Sequence, residues 1–222
     1  MNIKRIILAT LLLLLTTVAI SYADGTRYDV ENDYEYRTSL EFQFKLAKGL
    51  KLNISPELRF NGGFDNLVLN GDLSYKSFGF VYWGASYRLI ADREGVNSYS
   101  ADWDYYNRYA FDVTFKESFS RFTPSFRLRY TNYMDSDVTD KAFLRYQAKV
   151  NYDIRKCKIT PYVGIEAFQE MTDLMLSKMR YTAGFEYKIS KKASLSLDYK
   201  LDYFILEYKN SHIFSAGYKY RF

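Results

Sequence analysis

Hydrophobic and polar residues alternate with a period of two along most of the chain. In the first clear segment, one face carries Tyr34, Tyr36, Thr38, Leu40, Phe42, Phe44 and Leu46. The residues between them are Glu35, Arg37, Ser39, Glu41, Gln43 and Lys45. Successive side chains of a β-strand point to opposite faces, so the pattern predicts a strand with one apolar and one polar face. It returns at residues 50–60, 66–76, 79–90, 104–116, 121–132, 142–154, 159–170, 178–189, 193–204 and 212–222.

Three properties of these eleven segments favour a membrane-spanning barrel over a soluble sandwich. The apolar face of every segment is free of charged residues, whereas the other face is rich in them. The segments are about ten to fourteen residues long, which covers the ~9–11 residues of a tilted transmembrane strand and exceeds the ~5–6 of most soluble strands. Short polar turns alternate with longer loops. The sequence therefore predicts an all-β, up-and-down antiparallel transmembrane β-barrel.

The number of strands follows less directly from the pattern. Eleven segments is an odd number, and single-chain bacterial barrels have an even number of strands. We therefore predict twelve strands, with a short first strand supplied by residues 26–30. The alternative is ten strands, if one segment is not a complete strand.

The N-terminal residues predict export from the cytoplasm. Two basic residues at positions 4 and 5 precede an apolar run over residues 6–20, and Ser21-Tyr22-Ala23 then suits cleavage by a signal peptidase. We predict a signal peptide over residues 1–23 and a single barrel domain over residues 24–222. The location that follows is the outer membrane of a Gram-negative cell envelope.

The C-terminal segment ends on an aromatic residue. Phe222 is the last residue, and Tyr220 and Tyr218 lie on the same face before it. Such an end resembles the signal by which the outer-membrane assembly machinery recognises its clients. If Phe222 lies in the periplasm, the short turns lie there too and the longer loops face outwards.

Composition indicates the surroundings of the barrel. Aromatic residues form 19% of the chain, with 23 Tyr and 17 Phe, although the mean hydropathy is only −0.33. Tyrosines near segment ends are typical of interfacial aromatic girdles, which predicts contact with outer-membrane lipid and lipopolysaccharide. The net charge of +5 is spread along the chain, so we expect no nucleic-acid partner.

The charged face of each predicted strand points into the barrel. We expect a lumen network formed by Arg59, Arg88, Arg108, Arg127, Arg129, Arg145, Glu166, Arg180 and Asp198. Charges in a low-dielectric interior need partners, so one interpretation is a paired network that fills the lumen and holds the barrel in shape. The other interpretation is a narrow, cation-lined passage that favours anions.

Sequence signals for catalysis and cofactor binding are weak. His212 is the only histidine, and alternation puts it on the outer face while Ser211 points inwards. A lipid hydrolase or deacylase with a histidine and a serine on the outer wall is an alternative, but we expect no enzyme. Asp135 and Asp137 lack the rest of a calcium loop, and we predict no metal and no cofactor. A further alternative is an assembly or binding role with an unknown envelope protein.

Several short motifs are distributed along the chain after the predicted signal peptide. They are Arg127-Leu128-Arg129-Tyr130, Pro161-Tyr162 with Glu166-Ala167-Phe168, Arg180-Tyr181 followed by Gly184, and Leu197-Asp198-Tyr199. This set resembles the DUF2490 family of small outer-membrane barrels of unknown function. The resemblance implies a β-barrel and assigns it no activity.

Overall fold

A computed structural model describes residues 30–62, 64–93, 103–134 and 142–222. These residues form eleven strands: β1 Glu31–Ala47, β2 Leu50–Phe60, β3 Phe64–Phe78, β4 Val81–Arg93, β5 Trp103–Lys116, β6 Phe122–Tyr133, β7 Phe143–Tyr152, β8 Ile159–Glu170, β9 Leu176–Lys188, β10 Ala193–Phe204 and β11 Lys209–Arg221. Among them, no helix is long and apolar enough to cross a membrane.

The eleven strands form one closed barrel in which consecutive strands are antiparallel neighbours. β1 and β11 close the barrel in parallel, from Glu31 beside Lys209 to Gln43 beside Arg221. The predicted all-β, up-and-down barrel is confirmed, and each predicted segment coincides with a strand to within a few residues at its ends.

The strand number differs from the predicted twelve and from the alternative of ten. Residues 26–29 of the predicted first strand lie outside the described residues, and Val30 belongs to no strand. β1 pairs with β2 on one side and β11 on the other, so its edge is already occupied. Eleven consecutive antiparallel strands leave the first and the last running in the same direction, which makes the closing pair parallel.

The connections lie at the two ends of the barrel. The end that we call the turn rim holds Phe222 and connections 48–49, 79–80, 117–121, 153–158 and 189–192. The loop rim holds the start of β1 and connections 61–63, 94–102, 134–142, 171–175 and 205–208. The two longest connections, of nine residues each, are both at the loop rim. The predicted alternation of short and long connections depends on these two, because the others have two to six residues at either rim.

Alternation along each strand separates an apolar exterior from a charged interior. On the outer surface, Leu69, Phe111 and Leu197 are 45%, 58% and 50% exposed. On the inner surface, Glu166 and Asp202 are buried, with 2% and 3% of their surface accessible. This is the reverse of a water-soluble domain, in which large apolar side chains are buried and charged ones are exposed.

Candidate functional site: the barrel lumen

The inward-facing side chains enclose a cavity of about 630 Å³. All nine residues of the predicted lumen network line it: Arg59, Arg88, Arg108, Arg127, Arg129, Arg145, Glu166, Arg180 and Asp198. The described lining includes eleven Lys and Arg side chains but only five Asp and Glu, an excess of six positive charges. The cavity is therefore strongly cationic.

The strand register brings arginines together in a way that sequence alone does not reveal. Three pairs of arginines lie directly opposite each other on neighbouring strands: Arg37 and Arg59, Arg88 and Arg108, and Arg129 and Arg145. Like charges at opposite positions of neighbouring strands destabilise a sheet. Each pair therefore needs compensation from the rest of the lumen, and the three pairs differ in how they obtain it.

Two carboxylates compensate the pair Arg129 and Arg145. Asp112 on β5 lies opposite Arg129. Asp112 accepts hydrogen bonds from Arg129 Nε at 2.9 Å and from Arg129 Nη2 at 2.5 Å. Glu166 on β8 lies 2.9 Å from Arg145 Nη2 and also accepts from Arg127 Nη2 at 3.2 Å. Charge-assisted hydrogen bonds of this kind are stronger than neutral ones. The pair is neutralised by acids on two other strands.

Neighbouring carboxylates on the same strands compensate the pair Arg37 and Arg59. Arg37 donates from Nε and Nη2 to both oxygens of Glu35, at 2.7 and 2.8 Å. Arg59 donates from Nε to Glu57 Oε1 at 2.7 Å. Each acid lies two residues before its arginine, so the pleat puts both side chains on the same face of the strand.

The pair Arg88 and Arg108 has neutral partners only. Arg88 Nε donates to Asn70 Oδ1, and Arg108 Nη2 donates to Thr131 Oγ1 at 3.0 Å. The guanidinium carbon of Arg108 lies 5.3 Å from the centre of the Tyr133 ring. Among the described residues, neither arginine forms an ion pair with a carboxylate. Of the three arginine pairs, this is the one without a carboxylate partner in the described part of the lumen.

Asp202 is the second buried carboxylate, after Glu166. Its Oδ1 accepts from Arg180 Nε at 2.5 Å, and its Oδ2 accepts from Lys178 Nζ at 2.8 Å. The strand register places Arg180 of β9 directly opposite Asp202 of β10. Asp198 on the same strand lies 2.8 Å from Lys200 Nζ. Of the five acids that line the cavity, three are thus on β8 and β10, namely Glu166, Asp198 and Asp202.

Aromatic residues of the lumen, among them Phe168 and Tyr162, are absent from the predicted network. Phe168 is buried, and the cationic groups of Arg145, Lys178 and Arg180 lie 4.5, 4.5 and 5.2 Å from its ring centre. Tyr162 donates to Asp198 Oδ1 at 3.0 Å. Aromatic faces attract cations, so both rings add compensation that a search for charged residues misses. The signal was present in the alternation, since Phe168 shares its parity with Glu166.

The outer-face histidine does not meet a serine. His212 Nδ1 lies 2.7 Å from Tyr199 Oη, His212 Nε2 lies 3.1 Å from Asn32 Oδ1, and the Tyr34 ring stacks on it at 5.0 Å. Ser211 lines the lumen instead. The described residues contain no group of three or more His, Cys, Asp or Glu that could hold a metal ion. Asp135 and Asp137 lie outside them.

The C-terminal aromatic residues pack across β1 and β11, the pair of strands that closes the barrel, at the turn rim. The Phe222 ring stacks on Phe44 at 4.7 Å, and its backbone N–H donates to Gln43 O at 3.0 Å. Tyr220 lies edge-on to Phe222, and Tyr218 lies beside Leu40 across the same pair of strands. These residues therefore contribute to closing the barrel.

Comparison with known proteins agrees with this architecture. Residues 26–207 match the profile of the family described as "Protein of unknown function (DUF2490)". The chain belongs to the DUF2490 family. No curated protein matches the chain. Family membership assigns no activity, so the function has to be argued from the lumen and the outer surface.

Proposed function

We propose that this DUF2490 protein is an integral barrel of the bacterial outer membrane. The supporting observation is the exterior, where exposed large apolar side chains such as Leu69, Phe111 and Leu197 occur on strand after strand. A surface of this kind suits the hydrocarbon of a bilayer, and a closed barrel leaves no strand edge unsatisfied there. The turn rim with Phe222 faces the periplasm, where the assembly machinery would bind it, and the loop rim faces outwards, against lipopolysaccharide.

The membrane location is tested by placing a charge on the exterior. Leu69→Arg in the middle of β3 should cost about 2–4 kcal/mol of unfolding free energy in lipid vesicles, because a cation would enter hydrocarbon. Leu69→Ala is the control for lost side-chain area. Native protein recovered in the soluble periplasmic fraction, folded without detergent or lipid, would contradict the location.

Within the membrane, the lumen forms a narrow passage that prefers anions. This part of the proposal rests on the excess of six positive charges around the cavity, since a ring of cations attracts anions and repels cations. The test is conductance of the purified protein in a planar bilayer with a salt gradient. The reversal potential should indicate anion preference, and the double variant Arg88→Gln with Arg108→Gln should reduce that preference.

A structural role is the second candidate, and the carboxylate centres favour it. Glu166 pairs with Arg127 on β6 and Arg145 on β7, and Asp202 pairs with two cations of β9. The first centre links β6, β7 and β8, and the second links β9 and β10. If the purified barrel gives no channels above background, the passage is rejected and this role remains.

We propose no catalytic role for the outer face. Both ring nitrogens of His212 already face Tyr199 and Asn32, which leaves neither nitrogen for a serine. His212→Ala should leave phospholipid and lipid A profiles unchanged, and a changed profile would reopen the enzyme hypothesis.

A further inference from the structure

The pair Arg88 and Arg108 lies in a strongly cationic part of the lumen. The two residues are directly opposite on β4 and β5, and both line the cavity. Arg59 and Arg145 are within electrostatic range of Arg88, and Arg59 and Arg129 are within range of Arg108. These four interactions are repulsive, whereas Glu57 attracts Arg88 and Tyr133 attracts Arg108. A stable arrangement of this kind calls for a negative charge between the two side chains.

Most hydrogen-bond donors of the pair are unused. A guanidinium group has five N–H donors. Among the described residues, Arg88 donates to Asn70, and Arg108 donates to Thr131 and interacts with the Tyr133 side chain. The acceptors are themselves fixed, since Asn70 Nδ2 donates to Ser55 O at 3.2 Å and Thr131 is buried with 2% of its surface accessible. The two guanidinium groups are therefore held in place with free donors.

The carboxylate of Glu57, which attracts Arg88, is already engaged. Glu57 attracts Arg88 electrostatically, but its Oε1 accepts from Arg59 Nε at 2.7 Å. It does not come within ion-pair distance of Arg88. The protein's own acids thus leave two adjacent positive charges uncompensated.

We infer that Arg88 and Arg108 bind one phosphate-type oxyanion, either inorganic phosphate or the phosphate group of a small ester. Two guanidinium groups match the charge of a phosphate dianion, and their planar forks suit bidentate hydrogen bonds to its oxygens. The cavity of about 630 Å³ has room for such a ligand. This site rests on the proposed anion preference of the lumen, but it does not require ions to flow through the barrel.

The test measures binding to the refolded full chain in detergent by titration calorimetry. The probes are inorganic phosphate and glycerol 3-phosphate, at constant ionic strength set with chloride. At least one probe should bind saturably with one site per chain. Arg88→Gln and Arg108→Gln should each weaken binding at least about tenfold, because each removes charge-assisted hydrogen bonds.

Arg37→Gln is the matched control. It removes one positive charge from the same cavity, but from a pair whose charge Glu35 already compensates, so affinity should stay within about twofold of the unmodified protein. Absence of saturable binding of both probes, or equal weakening by Arg37→Gln, would overturn the site. The second result would indicate diffuse attraction by the whole lumen.

A lysine series keeps the test valid if a glutamine variant fails to fold. Arg88→Lys and Arg108→Lys retain the charge and lose the planar fork, so both should weaken binding, and unchanged affinity in both would overturn the site. Conductance separates this inference from the proposed passage. Binding without channels rejects the passage alone, and anion-selective channels without binding reject the site alone.

Discussion

The pairs Arg129–Arg145 and Arg88–Arg108 have the same cross-strand geometry and opposite electrostatic surroundings. Arg129 lies opposite Asp112 on β5, and Arg145 and Arg127 both form ion pairs with Glu166. The corresponding neighbours of Arg88 and Arg108 are neutral: Asn70 is opposite Arg88, and Tyr133 is opposite Arg108. One side of the lumen is therefore an internally paired network, and the other is a site with charge left for a ligand.

The difference teaches that an inward arginine has no fixed role in a barrel. With a carboxylate on an adjacent strand it stabilises the wall, because the ion pair satisfies both partners. With only amide, hydroxyl and aromatic neighbours it keeps its charge available to the lumen. The same residue type can thus serve the structural interpretation on one side and the anion-binding interpretation on the other.

The largest effect should come from breaking the paired side at Glu166. Glu166→Gln leaves the half-buried guanidinium groups of Arg127 and Arg145 without a counter-charge. It should lower the free energy of unfolding by about 3–5 kcal/mol. Urea unfolding in lipid vesicles measures this loss of unfolding free energy. Glu41→Gln is the control, since Glu41 pairs with Lys219 at 2.6 Å but its side chain is 32% exposed. That loss should be below about 1 kcal/mol. An equal loss of unfolding free energy in both variants would contradict the stabilising role of buried Glu166.

A smaller loss is expected at Asp112, which has a single arginine partner. Asp112→Asn should lower the unfolding free energy by about 1.5–3 kcal/mol, the usual contribution of hydrogen bonds to a charged group. The double variant Asp112→Asn with Arg129→Gln removes both charges and should recover most of the loss. If the double variant is less stable than Asp112→Asn alone, the pair is not the source of the effect.

The smallest change should convert the unpaired side into a paired one. Asn70→Asp places a carboxylate opposite Arg88, and should raise the unfolding free energy by about 0.2–1 kcal/mol. The same variant should weaken phosphate binding, because its own carboxylate competes for Arg88. Asn70→Leu has a similar size and brings no charge, so it serves as control. Unaltered phosphate affinity in Asn70→Asp would separate Arg88 from the anion site.

Much of this organisation could be predicted without a structure, and the errors are instructive. All nine residues of the predicted lumen network line the cavity, from Arg59 on β2 to Asp198 on β10. The prediction of a twelfth strand was wrong. It relied on the rule that bacterial barrels have an even number of strands, whereas β1 of this chain already pairs on both edges. Phe168 was missed because the prediction considered only charged residues.

The sequence by itself determined the strands, their two faces and the set of side chains in the lumen. These follow from the pleat of a single strand, which alternates side chains whatever the strand is paired with. Only the tertiary structure decided that Arg88 lies beside Arg108 and that Glu166 reaches both Arg127 and Arg145. Sliding one strand by two residues keeps every side chain on its face and changes all of its cross-strand neighbours. Charge compensation depends on those neighbours, so it is decided by register and barrel closure.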